Sequence, residues 1–439
     1  MRIAVADAVS VLGATLVGDG TGAFDGVSYD SRTLVAGNLF VAVVAARDGH
    51  DFVVDAERSG CAAVLVSREI EACSVPQIVV TDTSIALTEL GRWARRRLGP
   101  TVDGRVVGIT GSVGKTTTKD FVAAVLRTEF VVGASEKSLN NDMGLPVTLL
   151  NAPDDAAALV LEMGMRGFGE IARLADLARP GIGIVTRVGE SHSERVGGVE
   201  GVARAKGELV AAIGEGGIAL LNADDPRVVG MRHLTGGTCL TFGSAEGADM
   251  RISDVVSDGA RGVAFSYSSR WGSGRCVLGV PGTHMASNAS AALLVAAVCG
   301  VDLDAAAAAL EHAVISPMRM AIHQLEGLTI VDDSYNASPT STKAALDTLA
   351  TMPASRRVAV LGAMAEIDDS NRRHLDVAAH ARSLGIEVVA FGTDLYGTQV
   401  IDSYDDAVAF VRSLPAESAV LIKGSRVVGL DHVVRLILG

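Results

Sequence analysis

The sequence predicts an α/β protein built on parallel sheets and divided into about three domains. Three observations carry that prediction. In the stretch Val106–Lys119, VVGITGSVGKTTTK, a β-branched apolar run passes through a loop of small residues into a helical segment. Short apolar runs alternate with helical segments on both sides of it: Phe40–Val44, Ala62–Val66 and Ile78–Val80 before, Val358–Gly362, Val388–Gly392 and Val420–Lys423 after. Finally, 439 residues that are 49% hydrophobic and 20% charged are too many for one core and too apolar for disorder.

Residues 1–100 read as a small α/β unit. Val53–Ser59 and Ser84–Leu98 are its expected helices, the second capped by Thr83 or Ser84. Tyr29–Arg32 (YDSR) and Asp48–His50 (DGH) have the composition of turns. Leu98–Gly104, LGPTVDG, reads as a linker to the next unit.

Residues 101–314 begin with the organising stretch. Val106–Ile109 is a buried strand, and Lys115 opens a helix carrying Phe121, Val122, Val125 and Leu126. Between them the backbone N–H groups of Thr110, Gly111, Ser112, Val113 and Gly114, with the N-terminus of the helix, form an anion cradle. Lys115 can reach the terminal phosphates of ATP, and the Thr116 hydroxyl, followed by Thr117, can sit on Mg²⁺. The generic phosphate-loop pattern would need glycine at Ile109; what stands here is TGSVGKT, Thr110–Thr116.

Further along, Glu162 closes the apolar run Leu159–Met163, and a carboxylate at a strand end beside a phosphate loop suits Mg²⁺, or else a helix cap. His192 follows the run Gly183–Val188, where a lone histidine is more often structural than a ligand. Lys206, in the helical run ARAKGEL, is by residue type a solvated lysine. Asn140 and Asn141, in SLNNDMGLPVTLL (138–150), have turn character. Asn288 can pair with the adenine edge or cap a helix.

Residues 315–439 read as a Rossmann-like parallel sheet without the G-x-G-x-x-G that a dinucleotide site needs. Arg319 is a fixed cation that could meet ATP phosphate, and Asp333, after Leu328–Val331, could accept from ribose hydroxyls. Lys423, Ser425 and Arg426, in KGSR at the end of the last strand, suit a carboxylate.

The net charge of −13 argues against nucleic acid or an anionic membrane as partner, so a nucleotide substrate would need local basic groups and metal ions. Five scattered cysteines (Cys61, Cys73, Cys239, Cys276, Cys299), with no C-x-x-C, read as buried thiols of a reducing cytoplasm. The N-terminus lacks the pattern of a signal peptide, and the most apolar helical run, Ala286–Cys299, is too short and polar to span a bilayer. A cytoplasmic monomer acting on small molecules is the expectation.

Several motifs, in order, resemble the Mur ligases, ATP-dependent amide-forming enzymes that include the folylpolyglutamate synthetases. These are DSRTLVAGNLFVAV (30–43), TGSVGKT (110–116), NNDMGLP (140–146), EMGMRGFGEI (162–171), GESH (189–192), ARAKGE (203–208), GTHMASNAS (282–290), DDSYNASP (332–339), GAMAEI (362–367) and KGSR (423–426). The resemblance implies a three-domain architecture. Residues 1–100 would hold a uridine-diphosphate-linked substrate, with Ser31 and Arg32 in its motif; residues 101–314 would bind ATP in a P-loop ATPase-type sheet; and residues 315–439 would deliver the amine.

It further implies two Mg²⁺ ions, one on Thr116 and Glu162, the other on His192 and a CO₂-derived carbamate of Lys206. Asn288 would contact adenine. Asn140, Asn141, Tyr335 and Asn336 would line the substrate path, and Lys423, Ser425 and Arg426 would face the incoming dipeptide. The implied reaction joins D-alanyl-D-alanine to a UDP-N-acetylmuramoyl-tripeptide through an acyl phosphate, with Lys115, Glu162, His192 and Lys206 as the catalytic set. Val44, Ala45, Arg187, Ser338 and Ala363 depart from the family pattern. They leave open a ligase recruited to another carboxylate and amine; a non-catalytic nucleotide-binding module is the other alternative.

Overall fold

In the computed structural model, which describes residues 1–136 and 139–439, the chain forms three α/β units, each around a mainly parallel sheet. Ser138, the first residue of the asparagine-rich motif, lies outside the described residues.

The first unit carries a five-stranded sheet in the order Thr15–Val17, Gln77–Val79, Ala63–Val66, Leu39–Val41 and Val27–Ser28. Only the edge strand Thr15–Val17 runs antiparallel. The three expected strands are present, each shifted or trimmed by one to three residues at its ends. The helix expected to start at Ser84 is capped instead by Asp82, whose carboxylate accepts from the N–H groups of Ser84 and Ile85. It then runs from Thr83 to Val102 through Pro100, so most of the expected linker is helical. Tertiary packing overrides the Gly-Pro signal: Leu87, Leu90, Ala94 and Leu98 on this helix are buried in a core shared with Leu145, Leu149 and Leu174 of the second unit. Buried Arg95 donates from Nε to the Ala178 carbonyl at 2.6 Å, tying the helix to that unit.

The second unit holds a nine-stranded sheet. Its order is Gly272–Leu278, Val263–Ser269, Met250–Ser257, Thr238–Gly243, Ile218–Asn222, Ile182–Val185, Val106–Thr110, Ala158–Glu162 and Val132–Ala134. The first three strands form an antiparallel meander and the rest are parallel. Val106–Thr110 is buried at every position, as its unbroken apolar character requires. Helix Lys115–Leu126 and helix His284–Val298 pack together on one face of this sheet.

The third unit carries a six-stranded sheet, ordered Ala321–Leu325, Leu328–Asp332, Ser418–Lys423, Arg356–Gly362, Glu387–Phe391 and Gln399–Ile401. All of its pairings are parallel except the first hairpin. The core on the face of the central sheet that carries helices Lys115–Leu126 and His284–Val298 continues into this unit through Val331, Leu346, Leu349 and Leu361.

Among the described residues no helix is long and apolar enough to cross a membrane. All five cysteines are free. Cys61 and Cys276 are buried as expected, whereas Cys73, Cys239 and Cys299 are partly exposed.

Candidate active site

The chain leaves strand Val106–Thr110, crosses to Val132–Ala134, returns beside itself at Ala158–Glu162, and then places Ile182–Val185 on the opposite flank. The strand order therefore reverses at Val106–Thr110, and the crevice beyond the carboxyl ends of these strands is where ligands of open α/β sheets bind. Loops 111–114, 163–169 and 186–192 converge there.

The phosphate loop is held by its neighbours. Ser112 N–H donates to the Arg187 carbonyl at 2.7 Å, the Thr110 hydroxyl to the Met163 carbonyl at 2.8 Å, and the Thr186 hydroxyl to the Val113 carbonyl at 2.6 Å. Two of its glycines are obligatory. A Cβ on Gly111 would fall 1.8 Å from Thr186 Oγ1, and one on Gly114, at φ +84°, would fall 2.6 Å from Asn288 Oδ1. Asn288 thus stands over the loop, in the second turn of helix His284–Val298 and not at its cap. Thr117 is buried in the first turn of the helix after the loop.

Lys115 Nζ donates to the Gly111 carbonyl at 2.7 Å. Burial holds its ammonium below the ordinary lysine value, Glu162 draws it up, and Arg319 pushes it down. The Thr116 hydroxyl donates to Glu162 Oε2 at 2.6 Å, while Asn140 Nδ2 donates to Oε1 at 2.8 Å. Both oxygens of this buried carboxylate are therefore oriented by neutral donors, and no ion pair claims it among the described residues. Asn140, expected along the substrate path, sits on Glu162. Asn141 Oδ1 accepts from Gly144 N–H at 2.8 Å, just ahead of helix Gly144–Leu150.

His192 adopts a left-handed backbone, φ +64°, and its Nδ1 lies 2.6 Å from Glu366 Oε2 without the alignment of a hydrogen bond. Burial lowers the imidazole's proton affinity; Glu366 opposes this, and Lys115 and Lys206 reinforce it. Lys206 is buried, with no hydrogen bond or ion pair at Nζ among the described residues. Burial first, and the Lys115 charge second, push its pKa well below the ordinary lysine value. Lys115, Thr116, Glu162, His192 and Lys206, spread over 92 positions, thus form one interacting group. Glu366, retained in the GAMAEI motif, was given no site role from the sequence: it lies in another unit, and no local pattern ties it to His192.

The other expected residues are elsewhere or already engaged. Ser31 lies in a half-exposed turn, and exposed Arg32 pairs with Asp30 at 2.6 Å. His50 of the DGH motif is a structural residue, with Nε2 accepting from Ser67 N–H at 2.9 Å and Nδ1 against Asp48. Arg319 stacks 4.2 Å above the Tyr335 ring with its buried Nε unpaired, and it is close enough to affect Lys115. Lys423 pairs with Asp333 and donates to the Asn336 carbonyl at 2.8 Å. Ser425 donates to the Ala363 carbonyl at 2.7 Å, and Arg426 pairs with Asp431 at 3.2 Å. Ser338 caps helix Pro339–Thr351 through a capping box.

No group of three or more His, Cys, Asp and Glu gathers for a metal among the described residues. The oxygen pair of Thr116 and Glu162 is nevertheless of the hard donor type that Mg²⁺ takes. Lys206 as an ammonium would repel a cation, whereas carboxylated at Nζ it would supply oxygen donors.

Comparison with known proteins agrees with this geometry. Residues 109–296 match the Mur ligase middle domain and residues 318–426 the Mur ligase glutamate ligase domain. The chain is 36% identical over 430 residues to the UDP-N-acetylmuramoyl-tripeptide–D-alanyl-D-alanine ligase of Escherichia coli, covering 94% of this chain and 93% of that one. It is 36% identical over 351 residues to the Bacillus subtilis enzyme of that name, covering 78% and 74%. The solved MurF of Acinetobacter baumannii superposes with a TM-score of 0.87 at 26% identity, covering 100% of this chain and 99% of its own. MurF from Thermotoga maritima in complex with ADP superposes with a TM-score of 0.79 at 28% identity, covering 94% and 96%. With the phosphate loop, its partner carboxylate and the three-unit architecture all accounted for, this chain belongs to the Mur ligase family.

Proposed function

We propose that the protein joins D-alanyl-D-alanine to a UDP-N-acetylmuramoyl-tripeptide, consuming ATP and releasing ADP and phosphate, in peptidoglycan precursor synthesis. The observation that carries this reading is the gathering of Thr116, Glu162, Lys115, His192 and Lys206 at the strand-order reversal, in a chain aligned almost end to end with ligases of that name. The functional division falls near Asp103, after the long helix, and near Ser316, before the C-terminal sheet.

The chemistry is a problem of charge. A tripeptide carboxylate must approach the γ-phosphate of ATP, and two anions repel unless cations are fixed between them. Lys115 and the loop N–H groups supply the protein's share, and Arg319 adds a second cation nearby. Mg²⁺ ions, one held by Thr116 and Glu162 and a second by His192 and carboxylated Lys206, would offset the remaining phosphate charge. Lys206 is suited to that modification because burial, and then the Lys115 charge, lower its pKa and so favour the neutral, nucleophilic amine: Nζ would add to the carbon of CO₂ and lose a proton, leaving a carbamate anion. A carboxylate oxygen of the tripeptide bonds to the γ-phosphorus as its bond to the β–γ bridging oxygen breaks and ADP leaves; the neutral dipeptide amine then attacks the acyl phosphate carbon, the C–O bond to phosphate breaks, phosphate leaves, and the nitrogen gives up a proton to solvent as the amide forms. Contacts from the C-terminal unit close the crevice and keep water from the acyl phosphate.

The test is a coupled assay of ADP release with both substrates, together with the mass of the amide product. Product of the expected mass from the wild type and loss of ADP release in Lys115→Ala support the reading. ADP release without the amide, or full turnover in Lys115→Ala, rejects it.

A further inference from the structure

Helix Lys115–Leu126 carries more than the phosphate lysine. One turn beyond Lys115, the side chain of Lys119 is only 5% exposed, and the mechanism above gives it no part. Its Nζ donates to the Ser135 carbonyl at 2.8 Å and lies 2.7 Å from Asp120 Oδ1, on a side chain that is 10% exposed. Consecutive residues of a helix point about 100° apart and do not ordinarily face each other. These two converge because each is also held from outside the helix.

The two ends of the pair lead to different parts of the molecule. Ser135 follows the edge strand Val132–Ala134 and is fixed against the strand that ends in Glu162. Its N–H donates to the Val160 carbonyl at 3.0 Å, and its buried hydroxyl accepts from the Glu162 N–H at 3.2 Å. The carboxylate of Glu162 is thus oriented by Thr116 and Asn140, and its backbone by Ser135. At the other end, Asp120 Oδ2 accepts from the Ser316 N–H at 2.8 Å. Ser316 lies just ahead of the C-terminal sheet, and Met318 and Met320 beyond it hold left-handed backbones, φ +60° and +55°, on either side of Arg319. The segment anchored by Asp120 is therefore the one that turns Arg319 toward Lys115. Burying an ion pair is costly, and apolar side chains of similar volume are often at least as stabilising, so stability alone does not account for this one.

We propose that Lys119 is a positioning residue for the reaction: with Asp120 it ties the start of the C-terminal unit to Ser135, so that the backbone of Glu162 and the seat of that unit are set together. Lys119 would touch neither substrate nor metal and would act through Ser135. The assignment rests on the Mg²⁺ role proposed above for Glu162, and not on which carboxylate and amine are joined. It gives the buried charge a purpose: an ammonium can hold a carbonyl and a carboxylate at once, in fixed directions, where an apolar side chain would hold neither.

The test uses the full-length enzyme and Mn²⁺, which takes the same oxygen ligands as Mg²⁺. Mn²⁺ binding in the presence of ADP is read from the loss of the free-ion EPR signal, beside the melting temperature and the Mg²⁺ dependence of ADP release. The double variant Lys119→Met, Asp120→Asn leaves no unpaired charge and keeps an oxygen for the Ser316 N–H. It should melt no lower than the wild type, yet bind Mn²⁺ about tenfold more weakly, the low end for loss of an outer partner of a metal ligand. Lys119→Arg keeps the charge and a donor, and the cavity of about 510 Å³ beside the pair has room for the larger head. It should bind Mn²⁺ as the wild type does. Asp120→Ala, which alters nothing in contact with Glu162, should also weaken Mn²⁺ binding. Normal Mn²⁺ binding by the double variant overturns the assignment, whatever its melting temperature. Normal binding by Asp120→Ala overturns the tie to the C-terminal unit. A Glu162→Gln enzyme that binds Mn²⁺ like the wild type removes the metal reading of Glu162 and this assignment with it. The expected Mn²⁺ pattern in an enzyme that makes no amide from the dipeptide supports the role of Lys119 while rejecting the choice of substrates.

Discussion

Glu366 Oε2 stands 2.6 Å from His192 Nδ1, although the two residues belong to different sheets and lie 174 positions apart. Arg195 reaches the other oxygen of the same carboxylate at 3.1 Å. Both partners hold left-handed backbones, φ +58° for Glu366 and +64° for His192, a conformation that costs a non-glycine residue about 1–3 kcal/mol. Nδ1 of His192 faces this carboxylate, so Nε2 is the nitrogen that would hold the metal ion proposed above. A carboxylate behind a ligating histidine sets ring orientation and basicity. The neighbouring pairs Ser193–Asp368 and Thr340–Glu190 cross the same boundary.

Glu366→Gln keeps the size of the side chain and removes its charge. The expected result is a rise of about 10–100-fold in the Mg²⁺ concentration needed for half-maximal ADP release. The melting temperature should move little, because a partly exposed ion pair contributes about 0–1 kcal/mol. A Mg²⁺ titration that superposes on that of the wild type would remove Glu366 from the site.

Asn140 supports a second prediction. Its amide and the Thr116 hydroxyl divide the two oxygens of Glu162 between them, so Asn140→Ala frees the carboxylate to rotate. Apparent Mg²⁺ affinity should again fall by about 10–100-fold, with little change in KM for the UDP-linked tripeptide. The opposite pattern, a tripeptide KM effect at unchanged Mg²⁺ dependence, would return Asn140 to the substrate path.

The contrast between these residues shows what could be read from the chain alone. The phosphate loop was legible because strand, loop, lysine and helix start are contiguous, and their geometry follows from local backbone preferences. Glu162 was legible for a similar reason, as a carboxylate ending a wholly apolar strand next to that loop. The sheets followed from apolar runs alternating with helices, with strand ends off by one to three residues. The end of the first long helix was not legible, because Gly99 and Pro100 signal a break that burial against the central unit overrides. Neither was Lys206 as a buried group: on its own helix it looks solvated, and only the resemblance singled it out. The pairing of Glu366 with His192 depends on how two units meet, and no local pattern encodes that.

Lys206 gives the last prediction, through the pH dependence of stability. Its folded-state pKa lies well below 10.5, chiefly from burial and then from Lys115, whereas the unfolded lysine titrates near the ordinary value. Between the two values the unfolded chain holds a proton that the folded chain lacks, so raising the pH stabilises the fold across that window. Below the folded value both states are protonated, and the full cost of burying the ammonium is borne. Lys206→Met fills the space without a charge and removes this slope. In CO₂-free buffer the variant should therefore melt higher than the wild type at low pH, and the gap should close as pH rises toward about 10. Bicarbonate should then stabilise the wild type and leave the variant unmoved, and ¹³C-labelled bicarbonate should give a carbamate resonance in the wild type alone. A gap in melting temperature that stays constant with pH would mean that Lys206 keeps its proton in the folded protein, which would deny it the neutral amine that reaction with CO₂ requires.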